Sequence, residues 1–482
     1  MTRRWCLPLA VLVLIAGALA VPAYGAAVKA ASVPPVTQIS SDPFANSTSQ
    51  HATEVEPDSF TWGNTIVDTI QAGRFVTAGS SDIGWATSTD GGATWTHGFV
   101  SGLTVHRGGG TYPRTTNAVV TYDARHHTWL IAATAIMWVA GRAEPPGIGV
   151  AVVRSANGMA WTRPVFAIGG TSFTPNYDKD WITCDDTPSS PHYGICYAMV
   201  DMHADSNQMA FATSTDGGAT WSKPVDPAGA TGGLIGGMAV QPDGTVVAVY
   251  NTVEGADRQV ALTSSDGGKT WSAPVAISGV RHHQPDGNLR GHPLPSVTAD
   301  KAGKIYVVWA DCRFRTGCPE NDIVFSTSTN AVTWTAPARI PIDPVASHIE
   351  HYLPVIVASP ATSGAAAHLA LYYNFYPKAN CTRATCMIGE GFSSSVNGGA
   401  TWSAGRHLVT PFALTRLPFT SRGRMVGDYI GATVTASGIA LGALIIARKP
   451  ATGEAYNVGL YTDGGQAITG GPSPAQTDPG QP

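Results

Sequence analysis

A chain of 482 residues is long enough for two or three domains or for one large repeat architecture, so core size does not limit the fold. Only 13% of residues are charged, while Gly (54) and Pro (34) are abundant, a composition that disfavours a helical protein and suits short strands joined by tight turns. The formal charge of −4 is spread without a basic block, which excludes a nucleic-acid backbone or an anionic membrane as an electrostatic partner.

In chain order, the first expected element is an export signal over 1–26. Arg3 and Arg4 precede an apolar run from Leu7 to Ala20, and small residues at Ala18, Ala20, Ala23 and Gly25 offer cleavage sites. No later stretch approaches the roughly 20 apolar residues of a spanning helix, so no membrane anchor is expected. Residues 27–43 and 470–482, rich in Pro, Gly, Ser and Ala, read as a flexible linker and a disordered tail that flank one domain over 44–469.

Within that domain the octet Ser-Thr-Asp-Gly-Gly-Ala-Thr-Trp occurs identically at Ser88–Trp95 and Ser214–Trp221. Variants end at Trp161, Trp271, Trp334 and Trp402, so the six Trp positions are spaced by 66, 60, 50, 63 and 68 residues. A period of this size denotes a repeated supersecondary unit. The third octet position, occupied by Asp90, Asn157, Asp216, Asp266, Asn330 and Asn397, suits a side chain that accepts from turn amides, and the glycines suit positive φ. Alternating strands precede each octet, as in Asp82–Thr87 and Gln208–Thr213, so each unit reads as a four-stranded antiparallel sheet with the octet between its last two strands. Radial stacking into an all-β propeller buries both faces of such sheets. Strands after Gly427 without an octet suggest a seventh blade, closed by an N-terminal strand; six blades is the alternative.

Six cysteines outside the signal fall into near neighbours, Cys184 with Cys196, Cys312 with Cys318 and Cys381 with Cys386, and local disulfides are expected in an oxidising compartment. Asp201, Asp205 and Asn207 alternate oxygen ligands as calcium loops do, making calcium possible there; no cofactor is required and no transition-metal site is expected.

The pattern Ser-x-Asp-x-Gly-x-Thr-Trp resembles the Asp-box, or bacterial neuraminidase repeat, of secreted propellers related to sialidases. The resemblance covers most of the mature chain. It implies a monomeric extracellular protein acting on glycans, as a sialidase-type exo-glycoside hydrolase or, alternatively, a non-catalytic glycan- or protein-binding propeller of the cell envelope. In the family three arginines bind the sialoside carboxylate, a Tyr is the nucleophile with a Glu as its base, and an Asp is the acid/base. Blade order then implies Arg290 and Arg424 as the second and third arginines, Tyr429 as nucleophile and Glu350 as base. The Phe-or-Tyr-Arg-Ile-Pro motif is replaced by Gly73-Arg74-Phe75-Val76, which leaves the first arginine open; Arg114 is the substitute candidate. Asp180 and Asp178 are acid/base candidates, and Asp178 also joins Arg313, Asp311, Trp181, Tyr352 and Asp428 as expected substrate-binding positions on the face opposite the octets.

Overall fold

The computed structural model describes residues 1–2, 33–142, 144–172, 176–227, 229, 232–253 and 255–477. The expected export signal falls almost entirely outside them. All strands among the described residues belong to the compact unit Val33–Pro482.

These strands form seven successive antiparallel groups. The first holds Gln50–Trp62, Thr65–Arg74, Ser80–Ser88 and Thr96–Phe99; the second Arg114–Asp123, Thr128–Ile136, Gly147–Ser155 and Val165–Gly169. The third contains Tyr177–Cys184, Cys196–Met202 and Gln208–Ser214, with Val225 bridging to Phe211 in place of a fourth strand. Gly233–Val240, Val246–Thr252, Arg258–Ser264 and Val275–Gly279 make the fourth, and Ser296–Ala299, Ile305–Asp311, Asp322–Ser328 and Ala338–Arg339 the fifth. The sixth comprises Glu350–Ala358, Leu369–Tyr376, Met387–Ser395 and Arg406–His407. Gly431–Val434, Ile439–Ala447 and Val458–Thr462 form the seventh, whose outer partner is Thr37–Gln38. Both expected flanks are therefore partly structured: Thr37–Gln38 lies within the expected linker, and within the expected tail Ser473–Pro474 pairs with Thr401–Trp402 and Gln476–Thr477 with Ala338–Arg339. Their Pro and Gly content is compatible with short edge strands.

The first strand of each group packs against the first strand of the next, and that of the seventh packs against that of the first. Together they line one cavity of about 360 Å³, with Phe60, Val120, Ile182, Ile235, Val297, Ile356 and Val434 each contributed by a different group.

The octets hold these groups together. Ser88 Oγ donates to Asp90 (2.7 Å), which accepts from the Thr94 amide (2.9 Å) and hydroxyl (2.6 Å). These Thr94 hydrogen bonds hold the Asp90 carboxyl down at about 2. The Asp216 and Asp266 octets repeat the arrangement. Each octet leans on the preceding group rather than on its own sheet: Trp271 stacks on Phe211 at 3.7 Å, and Trp402 meets Phe325 edge-on at 5.9 Å. Gly218 (φ 78°) shows why the position is glycine, because a Cβ there would lie 2.4 Å from Leu130 of the group before. Gly92 of the first octet lies in the same way against Leu441 of the seventh group. Three disulfides, Cys184–Cys196, Cys312–Cys318 and Cys381–Cys386, join the expected pairs.

Candidate functional site

Third strands run from Ser80, opposite Arg74, to Ser88, opposite Ile66, so the octet that comes next lies at the far end of the sheet from Arg74. At the Arg74 end the first strands carry bulges. Glu56 and Asn117 adopt left-handed backbone (φ 58° and 56°) where the pairing of Val55 to Asp58 and of Thr116 to Val119 slips. Non-glycine residues in that conformation cost energy, and a bulge re-aims its side chains.

A buried charge network lies beside the bulge at Glu56. Arg290 Nε donates to Asp428 Oδ1 (2.7 Å) and its Nη2 to Oδ2, while Lys179 Nζ donates to the same Oδ2. Glu56 lies 4.0 Å from Lys179, accepts from the Asp428 amide (3.1 Å) and receives Gln71 Nε2. Burial alone would raise the Asp428 carboxyl, but Arg290 and Lys179 hold it well below the usual range. The opposite holds for Glu56, raised by burial and by Asp428 beside it. Two neighbouring carboxyls thus have affinities for protons pushed apart.

Above the network sits a cleft of about 70 Å³. Arg74, Arg290 and Arg422 line it from three parts of the chain, with Glu56, Asn117 and Asp178 among its other walls. Arg74 is buried and donates to the carbonyls of Phe75 (3.0 Å) and Gly79, whereas Arg422 is half exposed and reaches Glu144 at 3.7 Å. The Asp178 carboxylate has no hydrogen-bond partner among the described residues; only its backbone carbonyl is engaged, by Asn117 (2.5 Å) and Thr134 (2.9 Å).

Only some of the expected site residues meet here. Arg290, Asp428 and Asp178 do. Arg424 and Arg290 are joined through backbone (2.7 Å), yet the Arg424 guanidinium turns to the Leu417 carbonyl and the Phe419 ring. Arg114 binds Thr77 Oγ1 (2.7 Å) and the Ala78 carbonyl (3.1 Å) over the Phe75 ring, so the three expected arginines do not converge. The Tyr429 hydroxyl donates to the Ala118 carbonyl (3.1 Å), its ring packs edge-on against Trp181 at 5.6 Å, and burial raises its pKa well above the ordinary value. Both rings border the channel cavity rather than the cleft. Glu350, expected beside Tyr429, instead accepts from His283 (2.8 Å) and from the amide (3.1 Å) and side chain (2.6 Å) of Asn321. Asp180 is buried, accepts from Thr134 Oγ1 (2.5 Å) and is raised well above the usual carboxyl range by that burial.

Tyr352 is 1% exposed and belongs to the core, not to a binding platform. Asp311 and Arg313 form an internal ion pair at 2.7 Å, with Asp311 also accepting from Trp309 Nε1 (3.0 Å). At the expected calcium position, the Asp201 oxygens accept from the Lys179 amide (2.8 Å) and Asn207 Nδ2 (2.7 Å).

The sequence pattern places Glu56, Lys179 and Arg422 among the polar residues of the blade-entry loops without a specific role, misses Asn117, and leaves Arg74 only as the remnant of a missing motif. Arg74 was detectable from its place at the end of a second strand. For the others the signal is a bulge or a long-range contact, neither of which has a local sequence mark.

No known family model matches the chain, and no curated protein is similar to it in sequence. Solved structures do resemble it. An ulvan lyase, described as a new polysaccharide lyase family and bound to GlcA(1-4)Rha3S, superposes with a TM-score of 0.52 at 10% identity, covering 92% of this chain and 98% of the lyase. A leech intramolecular trans-sialidase gives a TM-score of 0.47 at 14% identity (74% of this chain, 70% of that one). The intramolecular trans-sialidase of Ruminococcus gnavus gives 0.46 at 13% identity (72% and 95%). The likeness is one of fold, an all-β one.

Proposed function

We propose that this chain is an extracytoplasmic, seven-bladed propeller of Asp-box type that acts on glycans carrying an acidic sugar. Ring-wise packing of seven first strands, and an octet glycine seated against the seventh group, support the blade count. Three disulfides support an oxidising compartment. One observation carries the functional reading: the cleft lined by Arg74, Arg290 and Arg422 with Asp178. Guanidinium forks suit a sugar carboxylate, and Arg422 is the fork with the weakest internal partner.

A catalytic version rests on the split between Glu56 and Asp428. Glu56, whose pKa is raised, is the group suited to deliver a proton to a glycosidic oxygen in the cleft. It replaces the pairing of Tyr429 with Glu350, whose side chains have other partners.

Binding is tested by titrating 3′-sialyllactose and trigalacturonate into the full chain and into Arg422→Ala. Loss of at least about tenfold in affinity for one of them is expected. Equal affinity in the two proteins would overturn the reading. Release of a fluorogenic aglycone from acidic glycosides by wild type, Glu56→Gln and Tyr429→Phe separates the catalytic versions: Glu56→Gln is expected to abolish release and Tyr429→Phe to spare it.

A further inference from the structure

Of the exposed large apolar side chains among the described residues, two are aromatic, Trp62 and Trp138. Trp62 ends a first strand at the octet end of the first group and stacks on Tyr122 at 5.1 Å. Trp138 lies at the other end. It is 57% exposed and comes two residues after Ile136, which lines the cleft; Glu144 and Pro145, further along the same connection, line it too.

Trp138 is also tied to the cleft from beneath. Arg114 stacks on Phe75 at 3.9 Å and reaches the Trp138 ring at 5.9 Å. The same guanidinium holds Thr77 Oγ1 and the Ala78 carbonyl, both in the cleft wall. Arg114, expected from sequence to grip substrate, thus serves as a support between cleft wall and indole.

The flat apolar face of an exposed indole fits the C–H face of a pyranose. We infer that Trp138 is the platform for a second sugar, the neighbour of the acidic unit held by the arginines, so that the site prefers oligosaccharides over free acidic monosaccharides. This rests on the acidic-glycan reading above.

The experiment compares N-acetylneuraminic acid with 3′-sialyllactose, and galacturonic acid with trigalacturonate, by calorimetry on the full chain, Trp138→Ala and Trp138→Phe; the paired probes distinguish a sialic from a uronic source. Wild type should bind the longer partner of one pair roughly three- to tenfold more tightly, the range expected of one aromatic contact. Trp138→Ala should erase that gain while leaving monosaccharide affinity unchanged, and Trp138→Phe should keep most of it. An undiminished gain in Trp138→Ala overturns the platform alone. Failure of wild type to bind any of the four sugars overturns the acidic-glycan reading and the platform with it.

Discussion

Replacing Asp428 by Asn, Arg290 by Gln, and both together tests whether the site is built on a buried ion pair. Asp428 is almost wholly buried and Arg290 retains 12% side-chain exposure, so little water screens them. At the 2.7 Å Nε–Oδ1 contact the gross attraction is about 6 kcal/mol for an effective dielectric of about 20, most of which offsets desolvation. Removing one partner strands the other, and Asp428→Asn also leaves Lys179 without its nearest anion. Each single change should therefore cost about 3–5 kcal/mol, and the double change should cost clearly less than the sum, with a coupling of about 2–3 kcal/mol. Urea unfolding near pH 7, repeated at low and high salt, measures it. Asp428 is depressed below its unfolded value, so its contribution is present above the unfolded pKa and is lost as the pH falls toward the folded one. The coupling should accordingly persist at pH 6 to 8. Additive single and double effects, or a coupling that disappears in salt, would refute a buried pair at this position.

The octets, the buried acids and the calcium-like loop carry further consequences. Trp402 is fully buried against Phe325, so Trp402→Ala should lower stability by about 3–5 kcal/mol by denaturant titration, while Asp216→Ala, at a surface turn, should cost about 1 kcal/mol. Burial raises Asp42 to about 6, Asp58 and Asp68 to about 7, and Glu54 and Glu390 to about 8. Their contributions are whole below the unfolded carboxyl pKa of about 4 and are lost as the pH rises through the folded values. The thermal midpoint should fall between pH 5 and pH 9, and Glu54→Gln, which mimics the protonated acid beside Ser40, should soften the fall; a flat or rising profile would contradict it. Millimolar calcium should leave the midpoint unchanged, since Asp201 already accepts from two N–H donors, and a calcium-dependent rise would show otherwise.

Whatever depends on neighbours in the chain was legible in the sequence. An octet fixes its own turn, because Ser214, Asp216 and Thr220 bond one another within seven residues, and its recurrence marked six of the seven groups. The disulfides span separations of 12, 6 and 5 residues and were equally local. Even there the sequence did not say that the octet Trp leans on the preceding group rather than on its own sheet. The site was less legible because its parts are distant: Asp428 meets Arg290 across 138 residues, Lys179 across 249 and Glu56 across 372. Blade order placed Arg290 and Arg424 at one end but not the direction of their side chains, which bulges, backbone carbonyls and competing partners decide. Local hydrogen bonding sets the turn, and the turn sets the repeat. Which charges face one another is decided only when the seventh group packs against the first, since only then do Asp428 and Glu56 come together in a buried position.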